Sequence, residues 1–142
     1  MKKNLSVFIF ILLTKSSFSQ GGIEHIKTQD YLKYSKNIDC NNQPGDNLTQ
    51  RICANLAYQK SDSLLVVVYN KLLKETVTPS AKEKIIQLQK EWRALRDKHC
   101  SILWESYGTP AGSNASINIL NCLTLLTNNR IKELELLLQE NL

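Results

Sequence analysis

Three reactive side chains lie close together in the segment LQKEWRALRDKHC, at positions 88–100. Asp97, His99 and Cys100 are residue types of a cysteine hydrolase, in which a base activates a thiol for nucleophilic attack. On a helix, however, successive side chains point about 100° apart, so neighbours in sequence do not form a triad. The nucleophile must also be a free thiolate. Whether Cys100 is free depends on the compartment in which the protein works.

The first nineteen residues predict export. Lys2 and Lys3 precede the apolar run LSVFIFILL, and the small residues Ser17 and Ser19 follow it, which is the order of a secretory signal peptide. We expect cleavage after Ser19 and a soluble mature protein in the periplasm or outside the cell. A retained anchor is the alternative, but the run is shorter than the roughly 20 residues that span a bilayer. We therefore expect no membrane span after signal cleavage.

Removal of residues 1–19 also changes the charge balance. The whole chain has 18 basic and 13 acidic residues, a net charge of +5. Three lysines leave with the signal peptide, so the mature chain keeps 15 basic residues against 13 acidic ones, a net charge of +2. It has no long basic block, and we therefore expect no nucleic acid partner. The remaining 123 residues are the size of one domain.

Four cysteines remain in the mature chain: Cys40, Cys53, Cys100 and Cys122. An even number of cysteines in an exported chain favours disulfides over free thiols. A zinc site that combines cysteines with His99 is the competing interpretation, but the chain has neither C-x-x-C nor H-x-x-x-H spacing. We therefore expect two disulfides, no metal and no cofactor.

Apolar periodicity predicts an all-α fold. Residues 20–36 are polar and predict a flexible mature N-terminus with a helical turn near Tyr31, and residues 37–142 predict the helical domain. Asp46 or Asn47 is a suitable cap for a short helix, LTQRIC, and three long helices should cover residues 56–76, 80–106 and 114 to near the end. The third helix has the most regular apolar stripe, with steps of three and four: Ile85, Leu88, Trp92, Leu95, His99 and Ile102. The expected architecture is a small antiparallel bundle of three long helices and one short one. The helix at residues 56–76 should cover the apolar face shared by the two later helices, so the stripe of the third helix is expected to face the core.

The position of each cysteine in this bundle favours one pairing. Cys100 lies six residues before the end of the third helix, and Cys122 lies eight residues after the start of the fourth. Points about two turns from the connecting loop face each other in an antiparallel hairpin, at a helix separation that a close crossing narrows to disulfide range. Cys100–Cys122 is therefore the favoured pair, which leaves Cys40–Cys53.

A second face of the third helix carries polar residues. Gln89, Trp92, Arg96 and Cys100 follow one another at steps of three and four, beside the apolar stripe. Asp62 lies among core-facing positions of the preceding helix, so we expect it to accept a hydrogen bond from Arg96 or from Arg130 of the fourth helix. The predicted buried polar network is Asp62, Gln89, Arg96 and Arg130, and the predicted core anchors are Tyr69 and Trp92.

Several of these residues together resemble a known family. The chain combines Q-x-x-W-x-x-x-R-D-x-x-C, from Gln89 to Cys100, with C-x-x-x-x-T-x-x-R, from Cys122 to Arg130. With Cys40 and the segment TQRIC upstream, residues 37–138 resemble the N-terminal domain of LprI-like lysozyme inhibitors. The resemblance implies an exported bacterial helical domain with two disulfides, named for a member that inhibits lysozyme.

The expected function is therefore binding rather than catalysis, and the sequence predicts no catalytic residue. The leading hypothesis is a protein that inhibits a glycosidase outside the cytoplasm, with lysozyme as the candidate partner. The candidate contact is the loop before the fourth helix, which would fill the enzyme's acidic cleft. The loop comprises Tyr107, Gly108, Thr109, Pro110, Ala111, Gly112, Ser113 and Asn114. A non-inhibitory scaffold or adaptor protein of the cell envelope is the alternative, and the oligomeric state stays open.

Overall fold

The structure, a computed structural model, describes residues 21–28, 38–41, 45–106 and 113–140. Within these ranges the chain forms four α-helices and no strand: α1 (Gly21–Thr28), α2 (Asn47–Glu75), α3 (Pro79–Ser106) and α4 (Ser113–Gln139). The predicted all-α bundle is therefore confirmed. The predicted signal peptide, the helical turn near Tyr31 and residues 107–112 of the predicted loop lie outside the described residues.

The short helix expected at residues 48–53 is the first part of α2. Asp46 caps the long helix, because its carboxylate accepts hydrogen bonds from the backbone N–H and the hydroxyl of Thr49, at 2.7 and 2.8 Å. These bonds lower the pKa of Asp46. The segment after Cys53 contains no Gly or Pro, so nothing interrupts the backbone ladder before Glu75. The prediction of a separate short helix at this position was wrong.

The short helix that the structure does contain is α1, within the polar segment that the sequence predicts to be flexible. Ile26 of α1 is 3% exposed and belongs to the core. Its backbone carbonyl accepts a hydrogen bond of 3.2 Å from the buried amide of Asn55 on α2. A buried amide needs such a partner. The N-terminal segment therefore contributes a packed element that the weak apolar pattern did not predict.

α4 is the central helix, since it packs most extensively against α2 and also contacts α3 and α1. Three contacts show that α3 and α4 are antiparallel: Cys100 with Cys122, Arg96 with Thr127, and Gln89 with Arg130. Most of the buried apolar residues form two clusters. One contains Ile26, Ala54, Tyr58, Cys100, Ile119, Leu120 and Leu123, and the other contains Leu65, Val68, Leu72, Ile85, Ile131 and Leu134.

The orientation of α3 differs from the prediction. Of its predicted core stripe, Ile85 is buried and Trp92 is half-buried, whereas Leu88, Leu95, His99 and Ile102 are exposed. The buried residues of α3 are Ile85, Gln89, Arg96 and Cys100. Apolar periodicity selects the face with more apolar residues, but it takes no account of the polar partners and the sulfur atom that α2 and α4 provide. The prediction that the apolar stripe of α3 faces the core was therefore wrong.

Candidate functional site

Arg96 is the centre of the polar cluster, and its side chain joins three helices. It is 3% exposed and lies in the middle of α3. Its Nη1 donates hydrogen bonds to Oδ1 of Asp62 on α2, at 3.0 Å, and to Oγ1 of Thr127 on α4, at 3.1 Å. Its Nε donates to Oδ1 of Asp97, at 2.9 Å. Because one planar guanidinium serves all three acceptors, it fixes the position of α3 relative to α2 and α4.

Aromatic rings surround the same guanidinium. The Cζ atom of Arg96 lies 5.1 Å from the ring centre of Trp92 and 5.7 Å from that of Tyr58. Arg130 approaches the Trp92 ring as well, at 5.8 Å. Contacts of this length between a cation and the face of a ring are favourable, and more so where water is excluded. Trp92 therefore packs between the two arginines of the predicted network.

Arg130 has different partners from those of Arg96. Its Nε donates a hydrogen bond of 3.1 Å to Oε1 of Gln89, and its Nη1 lies 2.8 Å from a carboxylate oxygen of Glu133. Of the two predicted partners of Asp62, the structure therefore brings only Arg96 to it. The four predicted residues form two adjacent pairs, which meet at Trp92.

The structure adds Lys27 and Asp97 to the cluster. Lys27 Nζ donates a hydrogen bond of 2.8 Å to Oδ2 of Asp97 and also forms an ion pair with Glu24. Asp97 therefore accepts bonds from α1 and from Arg96 at the same time. The sequence indicates Asp97 as a triad candidate and as part of the motif from Gln89 to Cys100, but it gives no sign of the contact with Lys27. The i, i+3 spacing of Glu24 and Lys27 was the available signal for a helix in this region.

These residues line an open cleft of about 570 Å³. Its walls combine three cationic and three acidic side chains with Tyr58, Gln59 and Ser63; the charged residues are Glu24, Lys27, Asp62, Arg93, Arg96 and Asp97. Arg93 has no hydrogen bond or ion pair with any described residue, whereas Asp62 and Asp97 both bind Arg96. The cleft therefore has balanced charge, and its aspartates serve to hold helices together.

Burial and pairing affect the pKa values in this cluster in opposite ways. Burial alone would lower the pKa of Lys27, but hydrogen bonds to Asp97 and Glu24 and the charge of Asp97 raise it. Burial likewise opposes the charge of Arg96, while neighbouring Tyr58, Asp97 and Asp62 raise its pKa. Burial raises the pKa of Tyr58, although the positive charge of Arg96 partly offsets this effect. Both cations therefore stay protonated at neutral pH.

All four cysteines are disulfide-bonded. Cys40 is joined to Cys53, and Cys100 to Cys122, with Cα–Cα distances of 5.5 and 5.8 Å. This is the pairing that the sequence favours. Cys100 is fully buried and has no thiolate, so it is neither a nucleophile nor a zinc ligand. His99 is exposed and does not join Asp97 in a site. The hydrolase hypothesis for residues 88–100 therefore has no chemical basis.

The other predicted site residues lie at the margins of this cluster. Tyr69 is half-buried and packs against the second apolar cluster, together with Trp92. Ser113 begins α4, and Asn114 is exposed. Residues 107–112 lie outside the described part of the chain, so the structure gives no geometry for most of the candidate partner loop.

The features described so far define a class of protein: a helical domain with two disulfides, built around a buried arginine. Disulfides of this kind form in oxidising compartments outside the cytoplasm. No described helix is both long and apolar enough to cross a membrane.

Comparison with known families assigns the chain more narrowly. The family model described as lysozyme inhibitor LprI matches residues 40–134, which include both disulfides, α2, α3 and most of α4. Because the match covers more than half of the chain, the chain belongs to the LprI family of lysozyme inhibitors. Neither the curated proteins nor the solved structures contain a match.

Proposed function

We propose that the protein is an exported inhibitor that binds a lysozyme-type glycosidase through surface contact. The family match over residues 40–134 is the observation that carries this proposal. The disulfide-bonded cysteines and the paired aspartates agree with a role in binding, because none of them is arranged as a nucleophile or as an acid–base pair.

Inhibition by contact benefits from a surface that is ordered before binding, because less conformational entropy is then lost in the complex. Two disulfides and the hydrogen bonds of Arg96 restrict the helices of this protein. The proposed contact is the uncharged segment 107–114, which connects α3 to α4. Cys100 and Cys122 hold those two helices together near the segment, so it would be presented from a fixed base.

A lysis assay tests the proposal. The purified protein is titrated into lysozyme acting on cell-wall material, and we expect the lysis rate to fall with a saturable dose dependence. Replacement of residues 107–112 by a Gly-Ser linker of equal length should weaken inhibition by about 30-fold if the segment holds the central contacts, as hot-spot residues do. The Arg93→Ala variant is the matched control in the cleft and should inhibit like the parent protein.

Two results would contradict the proposal in different ways. If the folded protein did not slow lysis even in large molar excess, inhibition of lysozyme would be wrong. If the linker variant inhibited as well as the parent, inhibition would stand but the contact segment would be wrong. Circular dichroism spectra of both variants verify that the helices are retained.

An envelope scaffold is the second candidate function. Large apolar side chains on the solvent face of α3, such as Leu88 and Leu95, favour it, because exposed apolar rows often mark protein contacts. If the protein is a scaffold, a pull-down with it should recover a partner from the envelope fraction, and the protein should not change the activity of lysozyme. The lysis assay combined with a pull-down therefore separates the two functions.

A further inference from the structure

The solvent face of α3 carries a regular apolar row. Leu88, Leu95 and Ile102 are 56, 65 and 56% exposed, and they are spaced seven residues apart. Seven residues are close to two turns of an α-helix, so the three side chains lie along one line. The inward face of α3 is already occupied by its contacts with α2 and α4. Among the described residues, this outer row therefore takes no part in the core of the monomer.

Charged residues flank the row with the same spacing. Lys84, Glu91, Lys98 and Glu105 are also seven residues apart, are exposed, and alternate in sign. Each lies three or four residues from a member of the apolar row, which places it on the same side of the helix. Within the described residues none of the four forms an ion pair, although Glu91 accepts a hydrogen bond of 2.7 Å from Gln87. Their charges are therefore open to a partner.

We propose that this face binds the same face of a second copy, with the two α3 helices antiparallel and Leu95 at the two-fold axis. In this arrangement Leu88, seven residues before Leu95, faces Ile102, seven residues after it. A helix with this apolar line can pack against its own copy along its length, as in a coiled coil. The same patch then serves both subunits, which is the usual construction of a symmetric dimer.

The charges select the antiparallel orientation. Glu91 lies four residues before Leu95 and Lys98 lies three after it, so opposite charges meet across the axis. Lys84 lies eleven residues before Leu95 and Glu105 lies ten after it, so these two opposite charges also meet across the interface. In a parallel pair with the leucines in register, the charged rows of the two copies would lie on opposite edges of the interface, so these ion pairs could not form. Such charge patterns are a common means of specifying helix orientation.

The length of the face agrees with a reversible dimer. From Lys84 to Glu105 the helix rises by about 32 Å. A single pair of helices over this length gives an interface at the small end of those that proteins use, so association should depend on concentration. The dimer leaves the cleft around Arg96 on the opposite side of α3, and it does not depend on the proposed inhibition of lysozyme.

Sedimentation equilibrium tests the dimer. We expect the parent protein to pass from monomer to dimer as its concentration rises, and Leu95→Glu to remain monomeric. Leu136→Glu is the matched control, because Leu136 is 60% exposed on α4 and lies outside the proposed face. It should dimerise like the parent. A parent protein that stays monomeric throughout the accessible concentration range, or a control that disrupts the dimer equally, would overturn the proposal.

A charge exchange gives a sharper test, because both variants change only exposed residues. Glu91→Lys and Lys98→Glu should each weaken dimerisation by about tenfold at low salt, since two ion pairs per dimer become repulsive. The double variant E91K/K98E should recover most of the loss, because the opposite charges face each other again. A double variant that dimerises no better than the single ones would refute the predicted pairing.

Cross-linking determines the orientation. The native cysteines are all disulfide-bonded, so a short bismaleimide reacts only with an introduced thiol. We expect an equal mixture of Leu88→Cys and Ile102→Cys proteins to give cross-linked dimers, and Leu88→Cys alone to give few. Efficient cross-linking of Leu88→Cys to itself would show a parallel pair and overturn the proposal.

Discussion

The two faces of α3 are inverted relative to the usual distribution of polar and apolar residues. The inward face contains Gln89, Arg96 and Cys100, which are all buried, whereas the outward face contains Leu88 and Leu95, which are more than half exposed. Arg96 is tolerated inside because it has three acceptors and two aromatic rings. The side-chain oxygen of Gln89 accepts a hydrogen bond from Arg130, although its Nε2 has no hydrogen-bond partner among the described residues. The hydrogen-bond and disulfide partners on α2 and α4 therefore determine which face of α3 is buried, more than the number of apolar residues on that face does.

The two faces of α3 also have different roles. The inward residues specify how α3 docks in the monomer, because only one orientation satisfies the guanidinium and forms the Cys100–Cys122 bond. The outward residues contribute little to the monomer and are available for contact with other molecules. Substitutions on the two faces should therefore differ sharply in their effect on the free energy of unfolding.

Arg96→Ala should have the largest effect. It removes a buried side chain and leaves Asp62, Asp97 and Thr127 without its hydrogen bonds, so we expect a loss of about 4 kcal/mol in the free energy of unfolding. Urea denaturation measures the loss. Arg93→Ala, one turn earlier and without an ion pair among the described residues, should cost less than about 0.5 kcal/mol. Equal losses at the two positions would show that Arg96 has no special role.

Replacement of both Cys100 and Cys122 by Ala should cause the second-largest loss in the free energy of unfolding. The bond closes a loop with a sequence separation of 22, for which chain entropy predicts about 3.4 kcal/mol. Replacement of Cys40 and Cys53 opens a loop with a separation of 13 and should cost about 2.9 kcal/mol. Because Cys100 is fully buried and Cys40 is half-buried, the cavity left in the core should widen this difference. Thermal unfolding of the two double variants measures this difference. A lower melting temperature for the variant without Cys40 and Cys53 than for the variant without Cys100 and Cys122 would contradict the predicted order.

Asp62→Ala should have an intermediate effect. The carboxylate accepts one charged hydrogen bond, but its side chain is 29% exposed and Arg96 keeps two other acceptors, so we expect a loss of about 1 to 2 kcal/mol. Asp62→Asn retains an acceptor oxygen and should lose less than Asp62→Ala. An unchanged melting temperature for Asp62→Ala would refute the assigned contact with Arg96.

Alkaline pH should have a smaller and specific effect. The folded state raises the pKa of Lys27 and of Tyr58 above their unfolded values, so both groups hold their protons more tightly when the chain is folded. Their contribution to stability is complete below about pH 10 and is lost as the pH rises through the raised folded values. Lys27→Met should show a shallower decline of the unfolding midpoint as the pH rises above about 10. A decline identical to that of the parent would contradict the role of Lys27.

The three long helices, apart from the start of α2, and the disulfide pairing could be predicted from the sequence because they depend on local pattern and loop length. Pro79 and the segment after Ser106 mark the ends of α3, and the distance of each cysteine from the loop indicates its partner. The packing of the N-terminal helix could not be predicted from the spacing of Glu24 and Lys27, because it comes from contacts such as that of Asn55 with the carbonyl of Ile26. The contact of Lys27 with Asp97 spans 70 residues, and no local signal specifies it.

The inverted orientation of α3 is the central claim, and unfolding of the Leu95→Glu variant tests it most directly. This substitution places a charge at the middle of the stripe that apolar periodicity assigns to the core. Measured by urea denaturation at a concentration where the protein is monomeric, the free energy of unfolding should stay within about 0.5 kcal/mol of the parent value. A loss of about 3 kcal/mol or more, as expected for a charge forced into a core, would show that Leu95 faces inward and would contradict the orientation described for α3.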